Sequence, residues 1–172
     1  MIAPLGTVGR AAPLFAFEGD FQADLRCIPM IVRHRLDLCG IKLTLKEWVQ
    51  LGPERRAAVV ALVGEGEGEG EGEASVTRFG DAVVSMVEAR FGAAPARIDV
   101  DPAPAWADRA RIPAEVATKA AAEGVALSDT QWAALAPLQR FALYKLSRSS
   151  HKNENFVPAC REFGVVAPSA AR

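Results

Sequence analysis

The stretch CIPMIVRHRLDLCGIKLTLKEWVQLGPERRAAVVAL, Cys27 to Leu62, returns 84 residues later as RIPAEVATKAAAEGVALSDTQWAALAPLQRFALYKL, Arg111 to Leu146, without a gap. Ile28 falls on Ile112, Pro29 on Pro113, Val32 on Val116, Gly40 on Gly124, Trp48 on Trp132, Leu51 on Leu135, Pro53 on Pro137 and Arg56 on Arg140. Roughly a third of the aligned positions are identical, the kind of self-similarity that marks a repeated structural unit. Its apolar residues recur at three- and four-residue spacing, so the unit reads as helical.

Each copy divides into three helices. Ile28, Ile31, Val32, Leu36 and Cys39 form one buried stripe, with Pro29 in the first turn, where a missing N–H costs nothing. Arg33 and Asp37, four apart, face away from that stripe, and Gly40 ends the helix as a left-handed cap. Thr44 followed by Glu47 is a capping box, and Ser128 followed by Gln131 repeats it in the second copy. The helices so started are short and carry the tryptophans, which read as core anchors. Pro53 and Pro137 stop them and open a third helix.

Around the copies the chain is simpler. Phe15, Phe17 and Phe21 bring bulky groups into the first ordered segment, with Phe15 to Phe17 read as a short extended piece. Gly64 to Glu73 is five Gly-Glu dipeptides, whose backbone entropy and like charge predict a disordered loop. Val76, Phe79, Val83, Val87 and Phe91 predict a helix stopping at Gly92 and bridging the copies. Pro95, Pro102 and Pro104 make an extended connector pinned by Ile98, Val100 and Trp106, and Phe156 to Phe163 reads as a last short helix. The expected fold is all-α: a duplicated three-helix unit, a bridging helix and a short C-terminal helix. It forms one domain over 15–166, between a flexible arm at 1–14 and a flexible tail at 167–172.

Twenty basic against twenty-one acidic residues give a net charge of −1, which supplies no field for nonspecific nucleic-acid or membrane binding. No apolar run approaches the roughly 18 residues of a spanning helix, and the N-terminal residues lack a basic leader pattern, so a cytoplasmic protein is expected. Cys27, Cys39 and Cys160 include no C-x-x-C pair and read as reduced, mostly buried thiols.

The densest polar run is Ser147 to Asn155, which places Arg148, His151 and Lys152 together in sequence. It reads either as an anion or acid-base site or as a loop in which Asn153 or Asn155 caps the last helix. No set of ligands has metal-site spacing, and no phosphate loop, serine elbow or metalloprotease motif occurs, so no metal and no cofactor is assigned. Ala120 to Leu135 has the outline of a helix-turn-helix, but Asp129 to Leu135 offers no arginine or lysine, which weighs against base readout.

Phe17-Glu18, Asp20-Phe21, Leu25 to Met30, Val32-Arg33, Leu36-Asp37, Cys39-Gly40, Lys42-Leu43 and Trp48 together resemble the nitrate reductase associated proteins. Leu138 to Leu143, Lys145 to Arg148, His151, Asn155-Phe156 and Glu162 to Gly164 carry the resemblance to the far end. It spans roughly Phe15 to Val165 apart from the Gly-Glu tract. The resemblance implies a soluble accessory protein for assimilatory nitrate reductase, a non-enzymatic maturation factor that binds the apo-enzyme or helps cofactor insertion. Arg26, Arg33, Asp37, Arg148, His151 and Asn155 are then the partner-binding candidates. Two alternatives stay open: a small enzyme or cofactor-binding module with Arg26, Cys27, Arg148 and His151 in one cleft, and, more weakly, a helix-turn-helix-like nucleic-acid binder.

Overall fold

The backbone traced from this sequence in a computed structural model covers residues 14–64, 72–148 and 154–166. It is mostly helical, with one small two-stranded sheet. The chain forms two compact units, one built on Ala23–Val100 and the other on Phe15–Gln22 with Asp101 onward.

The first unit holds α1 (Met30–Leu38), β1 (Ile41–Lys42), α2 (Leu45–Gln50), α3 (Pro53–Gly64), α4 (Glu73–Phe91) and β2 (Ala96–Arg97). Pro29 stands one residue earlier than expected, extended at φ −60° and ψ 150°, and its carbonyl accepts the first helical N–H, from Arg33 at 2.9 Å. Ile31, Val32 and Leu36 are buried as the spacing predicts, but His34 and Arg35 are buried with them. Arg33 and Asp37 are half-buried rather than turned fully to solvent. α1 packs against α3, α4 and β1. In α4, Phe79, Val83 and Val87 face the core, and Gly92, left-handed at φ 74°, closes the helix by donating to the Glu88 carbonyl.

β1 and β2 are antiparallel, Ile41 opposite Arg97 and Lys42 opposite Ala96, and the Ile98 N–H continues the ladder to the Gly40 carbonyl. The extended connector is thus tied down by backbone bonds: Ile98 and Val100, expected as apolar pins, are exposed, and of the three only Trp106 is buried. Residues 65–71 of the Gly-Glu tract lie outside the described residues, and so do 1–13 and 167–172.

The second unit holds α5 (Ala114–Ala122), α6 (Asp129–Ala134), α7 (Pro137–Ser147) and α8 (Phe156–Glu162), with 3-10 turns at Ala16–Phe21 and Ala105–Ala107. The segment read as extended at Phe15–Phe17 therefore coils. Two carboxylates hold the coil: Glu18 accepts from the Phe15 N–H within the turn, and Glu162 accepts from the N–H groups of Ala16 and Phe17. Phe15, Phe17 and Phe163 then meet as an aromatic cluster with centroids 5.0–6.1 Å apart. α7 packs against α5, α8 and the turn carrying Trp106.

The two glycines that end α1 and α5 are both left-handed, Gly40 at φ 64° and Gly124 at φ 67°, but their surroundings differ. A Cβ on Gly40 would lie 2.7 Å from the Ile98 carbonyl oxygen, which the sheet fixes, whereas a Cβ on Gly124 meets nothing. Gly124→Ala is expected to cost about 1–2 kcal/mol, the left-handed penalty alone. Gly40→Ala adds an overpacking term of about 1–3 kcal/mol. Urea midpoints of the two variants should separate in that order, and equal midpoints would show that the connector yields.

Candidate functional site

In the first unit the chain reaches α1 through a constrained bend. Leu25 is left-handed at φ 50°, uncommon for a side chain with a Cβ, and its carbonyl accepts the indole N–H of Trp48 at 2.6 Å. Asp24 reaches over Leu25, accepting from the Arg26 N–H at 3.1 Å and pairing with its guanidinium at 3.4 Å. The backbone bond from Arg26 holds the Asp24 carboxyl below its usual range. Arg26 is exposed and Cys27 half-buried. Arg33, on the first turn of α1, sends its Nε back to the Ile28 carbonyl at 3.0 Å. Its guanidinium is therefore tied to the segment that leads into the helix.

Arg148 and Asn155 belong to the second unit. The guanidinium of Arg148 lies 5.2 Å over the Tyr144 ring, and its Nη1 donates to the Tyr144 hydroxyl at 3.1 Å. One turn of α7 thus holds an exposed arginine against an aromatic face, which leaves it little rotamer freedom to lose on binding. Asn155 occupies the N-cap position of α8 but makes no side-chain cap bond there. His151 lies outside the described residues, as does Asn153. Of the four residues of the alternative cleft, Arg26 and Cys27 fall in one unit and Arg148 in the other.

Sequence reasoning missed the buried cations. Arg35 is 6% exposed and Arg140 4%. Arg140 donates through Nε to the Trp106 carbonyl at 3.0 Å and through Nη1 to the Leu135 carbonyl. Burial, with the nearby charge of Arg109 second, lowers its pKa from the usual arginine value. Arg109 itself binds the Ala133 carbonyl through Nε and Nη2. The identity of Arg140 with Arg56 in the repeat was a signal that this position matters.

The thiols are free, and Cys160 is fully buried, which pushes its pKa to about 11. Burial also raises Cys39, against the opposing pull of Arg35 and Arg97. Neither environment activates a thiolate near neutral pH. Among the described residues no three His, Cys, Asp or Glu side chains group to hold a metal, and no helix is long and apolar enough to cross a membrane. In the second unit a groove of about 430 Å³ is lined by Pro104, Ala105, Asp108, Arg111 and Pro113 among others. Its Asp108 is committed to the fold: Oδ1 accepts from the Ala110 N–H and the carbonyl from the Trp132 indole. In the helix-turn-helix outline Trp132 of α6 is fully buried, and the residues of α6 that are exposed, Asp129, Thr130 and Ala134, include no cation.

Searches of curated proteins and of solved structures match nothing to this chain. A family model described as conserved nitrate reductase-associated protein matches residues 14–163, which takes in both units. On the length of that match, the chain belongs to the conserved nitrate reductase-associated protein family.

Proposed function

We propose that this protein is a non-enzymatic accessory factor of assimilatory nitrate reductase that acts in the cytoplasm by binding the apo-enzyme or by assisting cofactor insertion. The observation that carries the reading is the family match over residues 14–163, whose description names the association with the reductase. Arg148 gives the reading a physical handle. An arginine stacked on Tyr144 and exposed at the end of α7 is a pre-ordered anchor of the type that supplies most of the binding energy at protein interfaces. Arg33, with its guanidinium tied to the Ile28 carbonyl, is the second candidate anchor.

The same reading takes 27–62 and 111–146 as copies of one ancestral three-helix unit. Support comes from paired features at an offset of 84: the capping boxes at Thr44 and Ser128, the left-handed glycines at 40 and 124, and the extended prolines at 29 and 113. A duplicated scaffold that exposes different side chains from its two copies is suited to holding a large partner.

The test is calorimetric titration of purified apo-reductase with the intact protein and with Arg33→Ala and Arg148→Ala. Each variant is expected to weaken the complex by about 1–3 kcal/mol. For Arg148→Ala the melting temperature should hardly move, since exposed substitutions fall within about 0.5 kcal/mol. If the intact protein gives no heat and no co-migration with the reductase, the direct-binding reading fails.

A further inference from the structure

In the second unit Lys119 on α5 is paired with Glu123 one turn later, Nζ to Oε1 at 2.6 Å. The same register of the first unit holds Arg35 and Cys39, so the cation is kept and the carboxylate is replaced by a thiol. The thiol does not take over the missing charge. It donates as a neutral S–H to the Val76 carbonyl at 3.2 Å, and burial keeps it protonated despite the two nearby guanidiniums.

Arg35 is more than nine-tenths buried, its Nη1 has no hydrogen-bond acceptor, and it makes no salt bridge among the described residues. A buried donor left unmade and a charge left uncompensated are both costly, and native structures keep them where something else completes the site. A second cation reaches the same residue: Arg97 on β2 sends Nη1 to the Cys39 carbonyl at 3.3 Å, and both guanidiniums act on the Cys39 thiol. Asp81 is also close enough to act on the Cys39 thiol, but it forms no salt bridge with either arginine among the described residues. Arg97 is exposed, Cys39 half-exposed and Arg35 buried, so the three residues run from solvent into the core.

We propose that the first unit binds a small oxyanion between Arg35 and Arg97, beside the Cys39 side chain. Two guanidiniums suit this class of ligand because their N–H forks match adjacent oxygens of one anion, which a halide does not offer. The anion stands where Glu123 stands in the second unit, as the counter-charge that the repeat register otherwise supplies from the chain.

The experiment uses the full chain and three probes, inorganic phosphate, sulfate and nitrate, each against chloride at matched ionic strength. Heat of binding is the first readout, because phosphate and sulfate raise the melting temperature of proteins in general and a thermal shift alone does not report a site. The second is the alkylation rate of Cys39, resolved from Cys27 and Cys160 by peptide mass. The expected result is saturable one-to-one binding of at least one probe, with Cys39 alkylation slowed at the same concentrations. Arg35→Gln and Arg97→Gln should each weaken binding by about tenfold or more, and Lys119→Gln should leave it unchanged. If Arg35→Gln does not fold, Arg97→Gln decides, since its side chain is exposed. No saturable heat with any probe overturns the proposal, as does binding that Arg97→Gln leaves intact.

Discussion

Trp48→Ala and Trp132→Ala are each expected to lower stability by about 3–5 kcal/mol, the range for emptying the site of a large core side chain. Both tryptophans are completely buried, and each sits on the short helix that a capping box starts. Each also donates its indole N–H to a backbone carbonyl just before the first helix of its unit, Trp48 to Leu25 and Trp132 to Asp108 at 2.8 Å. The indole therefore does two jobs: it fills core space and it clamps the incoming chain. Phenylalanine keeps most of the first and loses the second, so Trp→Phe at either site should cost less than alanine but more than the lost area alone, because a carbonyl is left unmade.

Against a total of about 5–15 kcal/mol for a typical protein, either alanine variant removes a large share of the stability. Denaturant unfolding followed by far-UV circular dichroism, which does not use the removed fluorophore, gives the comparison. The two alanine variants should agree within about 1 kcal/mol. A cost under about 1 kcal/mol at one of them would mean that the two environments are alike in name only.

What the sequence revealed of this fold follows from which interactions side-chain patterns record. Thr44 with Glu47 forms the predicted reciprocal cap, with the Thr44 hydroxyl 2.6 Å from Glu47 Oε2, because capping needs particular residue types at a fixed spacing. Those bonds from Thr44 also hold the Glu47 carboxyl below its ordinary pKa. Gly40 is left-handed as read, and Gly92, read as a helix stop, and Gly124, aligned with Gly40, are left-handed too, because only glycine takes that conformation without strain.

The two-residue strands Ile41–Lys42 and Ala96–Arg97 left no trace, since a period of two needs more residues than that to show. The coil at Ala16–Phe21 was hidden for a different reason: Glu162, which caps it, lies 146 residues from Ala16 in the chain. The candidate site was legible in composition only. The repeat marks Arg56 and Arg140 as equivalent, but whether an arginine is buried, and on which carbonyl, depends on backbone positions that no residue letter encodes.

That difference gives the second large effect. Arg140→Met should cost about 2–4 kcal/mol, because it keeps apolar bulk but leaves the Trp106 and Leu135 carbonyls without their donor, at about 1–3 kcal/mol for each buried group. Relief of the repulsion from Arg109 offsets part of this loss. Arg140→Lys should recover little, since one ammonium cannot reproduce a planar fork reaching two carbonyls. Arg56→Met is the internal comparison: Arg56 is half-buried and its Nε is buried without an acceptor, so the substitution removes an unmet donor and strands no known partner. It should stay within about 0.5 kcal/mol of the parent or be mildly stabilising. Denaturant midpoints of the three variants decide the matter. Equal losses at positions 56 and 140 would show that the shared arginine works through its aliphatic stem in both units, and the two carbonyl bonds of Arg140 would then carry little of its stabilising effect.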